Sequence, residues 1–157
     1  LKQMLRDKGR DPEAFGFGAF CTILAHEDRA VIDRALDNPL IRWLSAIVGR
    51  VNPAEWQKEG ITTATPEGWT YFMKFAPYDT SPEFVQEVVA KTTRAMAEKS
   101  YLHGSPAEVA NQLGAYVDAG LNWVCLVDYT AMVLEPADAA SSLTRMIEIC
   151  AQLKNRS

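Results

Sequence analysis

Apolar positions follow two kinds of pattern along the chain. In several stretches they return every three or four residues, the spacing of a helix with one buried side. In two others they form short alternating or unbroken runs, the mark of a strand. The first helix is short. Leu1, Met4 and Leu5 share a face, and Gly9-Arg10-Asp11-Pro12 breaks it. Residues 15–24 read as a strand in which Phe15, Phe17 and Ala19 alternate with Gly16 and Gly18. Two glycines inside a strand mean that something packs close, either a neighbouring strand or a ligand. Residues 27–36 follow as an amphipathic helix with Val31, Ile32, Ala35 and Leu36 on one side, ended by Asn38-Pro39. Leu40, Ile41, Leu44, Ile47 and Val48 repeat at helical spacing, so a second helix starts after Pro39.

Asn52-Pro53-Ala54-Glu55 reads as a helix start with an acid at the capping-box position. Residues 60–66 form a polar loop, and residues 68–77 are rich in aromatics. Ser81-Pro82 opens a helix whose face is Val85, Val88, Val89, Thr92 and Met96. The most informative stretch comes next. Ser105 caps, Pro106 takes the first helical position and Glu108 reaches back. Val109, Leu113, Tyr116 and Val117 fall on one helical face, and Gly120 ends the helix. Residues 121–128 then form a strand apolar on both faces, which needs sheet neighbours and helices on both sides. Residues 101–103 read as a third, short strand. Glu135-Pro136 opens a last helix, expected to bury Leu143, Met146, Ile147, Cys150 and Leu153.

The expected fold class is α/β and helix-rich. Residues 15–24 and 121–128 should lie in one parallel sheet, as long strands from the end of a (β/α)8 barrel. Residues 40–80 would be a helical insertion at the barrel mouth. On this reading residues 1–157 are a single partial domain, because two such strands cannot build a barrel alone. The chain opens on Leu1, already in a helical pattern, which fits a fragment.

Composition narrows the function classes. The chain has 157 residues, a net charge of −4 and 48% apolar residues, as in an ordinary globular domain. Mixed charge of that sign argues against a nucleic-acid partner, which calls for a basic surface. No apolar run is long enough to span a membrane, and no secretory leader opens the chain. Cys21, Cys125 and Cys150 are odd in number and lack CxxC spacing, so they read as reduced core thiols of a cytoplasmic protein.

Candidate chemistry is sparse. Trp43, Trp56, Trp69, Tyr71, Phe72 and Phe75 crowd the insertion. They would either wall an apolar substrate pocket or anchor a segment with little core of its own. His26, beside Glu27 and Asp28, reads as part of a solvated helix start. His103 lies at a strand end, where it would touch a ligand or orient the loop. Asp128-Tyr129-Thr130 ends the last strand and reads as a turn. No metal-ligand spacing stands out. Gly16-x-Gly18 lacks a dinucleotide fingerprint, and HExxH and GxSxG are absent, so hydrolase chemistry has no support. No catalytic residue is assigned.

Three segments together carry a resemblance. They are Gly9-Arg10-Asp11-Pro12, His103-Gly104-Ser105-Pro106-Ala107-Glu108-Val109, and Tyr116-Val117-Asp118-Ala119-Gly120 before Trp123-Val124-Cys125-Leu126-Val127. In this order they resemble the C-terminal third of luciferase-like flavin and deazaflavin oxidoreductases, which are TIM barrels. Ala54-Glu55-Trp56-Gln57-Lys58-Glu59-Gly60-Ile61 and Thr80-Ser81-Pro82-Glu83-Phe84-Val85 are similar to the phthiodiolone ketoreductase-like, F420-dependent branch. The resemblance implies hydride transfer between coenzyme F420 and a carbonyl or alcohol. It also implies that the acid/base histidine and most cofactor contacts come from strands outside this chain, which alone would be inactive. Lys74 and Lys99 lie near two phosphate-holding positions of a sugar-phosphate branch, but one is displaced and the other replaces an arginine. The loss of that guanidinium fork favours a lipid-like or other bulky carbonyl over a sugar phosphate. Trp69, Phe72, Lys74, Lys99 and His103 are therefore the expected substrate-binding residues. Two alternatives stay open: an FMN-dependent monooxygenase on the same fold, and a non-catalytic α/β assembly module. A fragment is expected to self-associate through uncovered edges and faces.

Overall fold

The computed structural model describes residues 1–48, 53–66, 69 and 79–155. Three parallel strands form its centre: β1 (Gly18–Ala25), β2 (Leu102–Gly104) and β3 (Trp123–Asp128). The sheet order is β2-β1-β3. Ile23 sits opposite Leu102 on one side of β1, and Gly18 to Ile23 run in register with Trp123 to Asp128 on the other. The parallel pairing read from the sequence is present. In a closed barrel β2 would separate β1 from β3. Here the long β1 takes the centre; the described residues form a helix-rich α/β unit with a small parallel sheet, consistent with part of a barrel, and do not by themselves close one.

Helices flank the sheet. They are α1 (Lys2–Asp7), α2 (Arg29–Asp37), α3 (Pro39–Val48), α4 (Pro53–Lys58), α5 (Pro82–Lys91), α6 (Arg94–Ser100), α7 (Pro106–Asp118), α8 (Thr130–Val133), α9 (Pro136–Ala140) and α10 (Ser142–Lys154). Side-chain caps account for at least four of the ten described starts. Asp28, Ser81, Thr93 and Ser105 each accept a backbone N–H at a helix N-terminus. At α7 the reciprocal box closes: Glu108 N–H donates to Ser105 Oγ at 3.3 Å, and Ser105 N–H donates to Glu108 Oε2 at 2.7 Å. Gly104, at φ +134°, lies so close under that carboxylate that a Cβ would meet Glu108 Oε2 at 2.6 Å.

The strand pleat sends alternate residues to opposite faces. One face is dry. Ala19, Cys21, Ile23, Ala25, Leu102, Val124 and Leu126 pack against Val109 and Leu113 of α7 and Ile149 and Leu153 of α10. The other face is divided. Near its carboxyl end Leu24 is buried among Ile32, Leu36, Ile41, Ala97 and Tyr101. Toward its amino end it is largely bare among the described residues: Phe20 is 73% exposed, Trp123 46% and Val127 38%. The Trp123 indole lies flat on Gly18, where a Cβ would come within 2.0 Å of the ring. Close packing by this side chain is the reason for the glycine. A third cluster joins Trp43, Ile47, Trp56, Val88 and Met96 away from the sheet.

Three expectations are corrected. β1 begins at Gly18, not residue 15, because Pro12–Ala14 form a 3-10 turn. The stripe running to Met96 spans two helices, since Thr93 caps a new one. The last helix is broken at Ser141 and buries a different face. Ser142, Arg145, Ile149 and Leu153 point inward, while Leu143 and Ile147 are 64% and 61% exposed and Cys150 is exposed. Two polar tethers accompany this rotation: Ser142 Oγ donates to Asp128 Oδ2 at 2.5 Å, and Arg145 Nη2 donates to the Asp138 carbonyl at 2.8 Å.

Candidate functional site at the carboxyl end of the sheet

Parallel strands place their functional groups at their carboxyl ends, where the following loops and helix N-termini converge. Here β1 ends in Ala25 followed by His26, β2 in Gly104 and β3 in Asp128. The His26 N–H donates to the Gly104 carbonyl at 3.0 Å, which ties the first two ends together.

His26 is not solvated as its sequence context suggested. Its side chain is only 12% exposed. Nδ1 accepts the Asp28 N–H at 2.9 Å, and Asp28 in turn caps α2 through the Ala30 N–H. Nε2 faces Asp138 Oδ1 at 3.8 Å, and Glu27 Oε2 lies 3.9 Å from Nδ1.

His103 is held through its backbone. Gln112 accepts its N–H at 3.3 Å and donates to its carbonyl at 2.9 Å. Its Nδ1 is buried without a partner. Burial, and then the positive charge of Arg29, push the ring below the ordinary histidine range, which keeps it neutral at neutral pH.

Asp128 behaves as the turn former expected. Its buried carboxylate accepts the Thr130 N–H at 2.9 Å, the Thr130 hydroxyl at 2.6 Å and the Ser142 hydroxyl. Arg145, 3% exposed, lies beneath the same rim. Its Nη1 is 3.9 Å from Glu27 Oε2, and its Nε is buried without a partner. Arg42 Nε and Trp56 Nε1 are likewise buried without a partner among the described residues, so such an atom does not by itself mark a ligand site.

The other expected residues occupy different surroundings. Trp69 packs with the third cluster, its ring 6.1 Å from that of Phe84. Lys99 pairs with Glu59. Phe72 and Lys74 lie outside the described residues. Among the described residues no group of three or more His, Cys, Asp or Glu could hold a metal ion. A cavity of about 600 Å³ is lined by Leu1, Met4, Leu5, Phe15 and Phe17, and one of about 340 Å³ by Val117, Leu121, Trp123, Val124 and Leu153. Both are apolar and open at the amino ends of the strands, opposite the polar edge.

Sequence reading missed His26 and Arg145. Arg145 could have been noticed, since it shares a helical stripe with Ile149 and Leu153, where an arginine must find polar partners. Nothing in the sequence announces the Asp28 N–H on His26, which depends on how the chain turns after β1.

No family model matches the chain, and no solved structure does. The chain is a weak homologue of phthiodiolone/phenolphthiodiolone dimycocerosates ketoreductases. It is 24% identical to those of Mycobacterium tuberculosis and Mycobacterium bovis over 129 residues, which is 82% of this chain and 33% of each relative. Against the Mycobacterium kansasii protein it is 23% identical over 122 residues, 78% of this chain and 32% of the relative. The chain therefore spans about a third of the length of the curated relatives it matches.

Proposed function

We propose that the chain is the C-terminal part of a luciferase-like oxidoreductase that reduces a ketone, or oxidises the matching alcohol, with coenzyme F420 as hydride carrier. The observation that carries this reading is homology to ketoreductases over four-fifths of the chain. The uncovered face around Phe20 and Trp123 supports the idea that these strands sit inside a larger fold. An apolar sheet face of this kind is what a strand set leaves bare when its facing strands belong to the rest of the chain.

In this reading the described residues form a rim and not a whole pocket. F420, when bound, supplies the hydride. Most of its contacts belong to the remaining two-thirds of such a protein. His103, with its buried unpartnered nitrogen, Lys99 and Trp69 would contact a bulky, lipid-like carbonyl compound, as would Phe72 and Lys74, which lie outside the described residues. Lys99 would have to exchange Glu59 for substrate.

The test uses the full-length protein that carries this segment. Reduced F420 and a ketone should give alcohol and oxidised F420. Failure of that protein to bind F420 removes the proposal. Yellow flavin absorbance in the purified protein would favour FMN and a monooxygenase instead.

A further inference from the structure

We propose that the free edge of β3 docks a second copy of this chain, with the two β3 strands antiparallel and Cys125 at the centre of the pairing. This docking rests on the sheet alone and not on the ketoreductase reading above.

The two outer strands end the sheet in different ways. In a parallel ladder the N–H and C=O of one residue point to the same side, and those of the next residue point to the other. The Gly104 carbonyl accepts the His26 N–H, so in β2 it is His103 that turns away from β1. The Gln112 amide closes that edge. It accepts the His103 N–H at 3.3 Å and donates to the His103 carbonyl at 2.9 Å. In β3 the Tyr129 N–H donates to the Ile23 carbonyl, so odd-numbered residues turn to β1, and Val124 and Leu126 turn outward. Among the described residues no group takes the N–H and C=O of these two.

This edge also lacks the usual devices against pairing. Trp123-Val124-Cys125-Leu126-Val127 holds no charged residue and no proline, and the Asp128 carboxylate is turned in to Thr130 and Ser142. Hydrogen-bond alternation then limits the register. Outward-turned residues oppose each other, and the register that keeps the whole strand paired sets Val124 against the partner's Leu126. Cys125 meets the partner's Cys125 in a non-hydrogen-bonded pair, with Cα atoms about 4.5 Å apart, within the span of a disulfide. Trp123 meets the partner's Val127, so two exposed apolar side chains cover each other on the bare face. Asp128 falls opposite the partner's Asn122, and no like charges meet. A two-fold axis through the Cys125 pair joins the two three-stranded sheets into one.

The test uses the 157-residue chain. Light scattering after size-exclusion chromatography should show a dimer at micromolar concentration. Cys150→Ser leaves Cys125 and the buried Cys21. Diamide, which takes up the two thiol hydrogens, should link that variant into a covalent dimer through Cys125. In a Cys125→Ser, Cys150→Ser background, Val127→Cys should stay unlinked, because the register sets residue 127 against residue 123. Cys125→Lys places two ammonium groups face to face and should weaken the dimer at least about tenfold, with the circular dichroism of the parent chain retained. If that variant does not fold, the linking experiment decides alone. A monomer, which leaves the edge to a strand from elsewhere in a longer protein, overturns the inference. So does a dimer that diamide does not link at Cys125, or one that links equally well at residue 127.

Discussion

Phe20→Ala tests whether the uncovered sheet face is an inner surface of a larger fold. In the chain alone Phe20 is 73% exposed, so little of its side chain is removed from water. Complete burial of a phenylalanine stabilises by about 1.5–3 kcal/mol, and the buried quarter accounts for well under 1 kcal/mol of that. Its edge-on contact with Trp123, with ring centres 6.1 Å apart, adds a fraction of the ~0.5–1.5 kcal/mol typical of aromatic pairs. The expected loss for the isolated chain is about 1 kcal/mol. In the full-length protein the same side chain would be enclosed, and Phe→Ala in a core costs ~3–5 kcal/mol. Urea unfolding of both proteins, with and without the substitution, measures the difference. Ile23→Ala is the control. Ile23 is fully buried under α7 and α10 and should lose ~2–5 kcal/mol in both settings. Equal small losses for Phe20→Ala in the two proteins would refute the idea that this face is covered by the rest of the chain.

Other outcomes follow from the same structure. The isolated chain should self-associate, seen as an early and concentration-dependent elution in size-exclusion chromatography, and Phe20→Lys should shift it toward monomer. Gly104→Ala places a methyl group at φ +134° against the Glu108 carboxylate. It should cost at least ~1–3 kcal/mol and open the Ser105–Glu108 box, with thermal unfolding as the readout. His103 has its folded pKa held below the ordinary value of 6.5, so the unfolded chain takes up the proton first as pH falls. Its share of stability is complete above about pH 6.5 and is lost progressively below it. His103→Leu should flatten that part of the stability–pH curve. Asp33, held below the usual carboxylate value of 3.8 by Arg94, should lose its contribution only in acid, as pH falls below that value. An Arg94→Met variant should lose this acid dependence.

Local chemistry in the sequence determined much of this protein. The Ser105-Pro106-Glu108 start, the helix opening at Ser81-Pro82 and the parallel pairing of the two long strands were legible because each depends on neighbours a few residues away or on a simple apolar period. The kinship with ketoreductases was legible for a similar reason, being carried by the order of short motifs. Only the tertiary structure decided which face α10 buries, because two stripes compete and Ser142 and Arg145 tie one of them to Asp128 and the Asp138 carbonyl. It also decided that β1 lies between β2 and β3 and that His26 is pinned by a backbone N–H. Those outcomes depend on groups brought together by the fold, and no local pattern along the chain records that meeting.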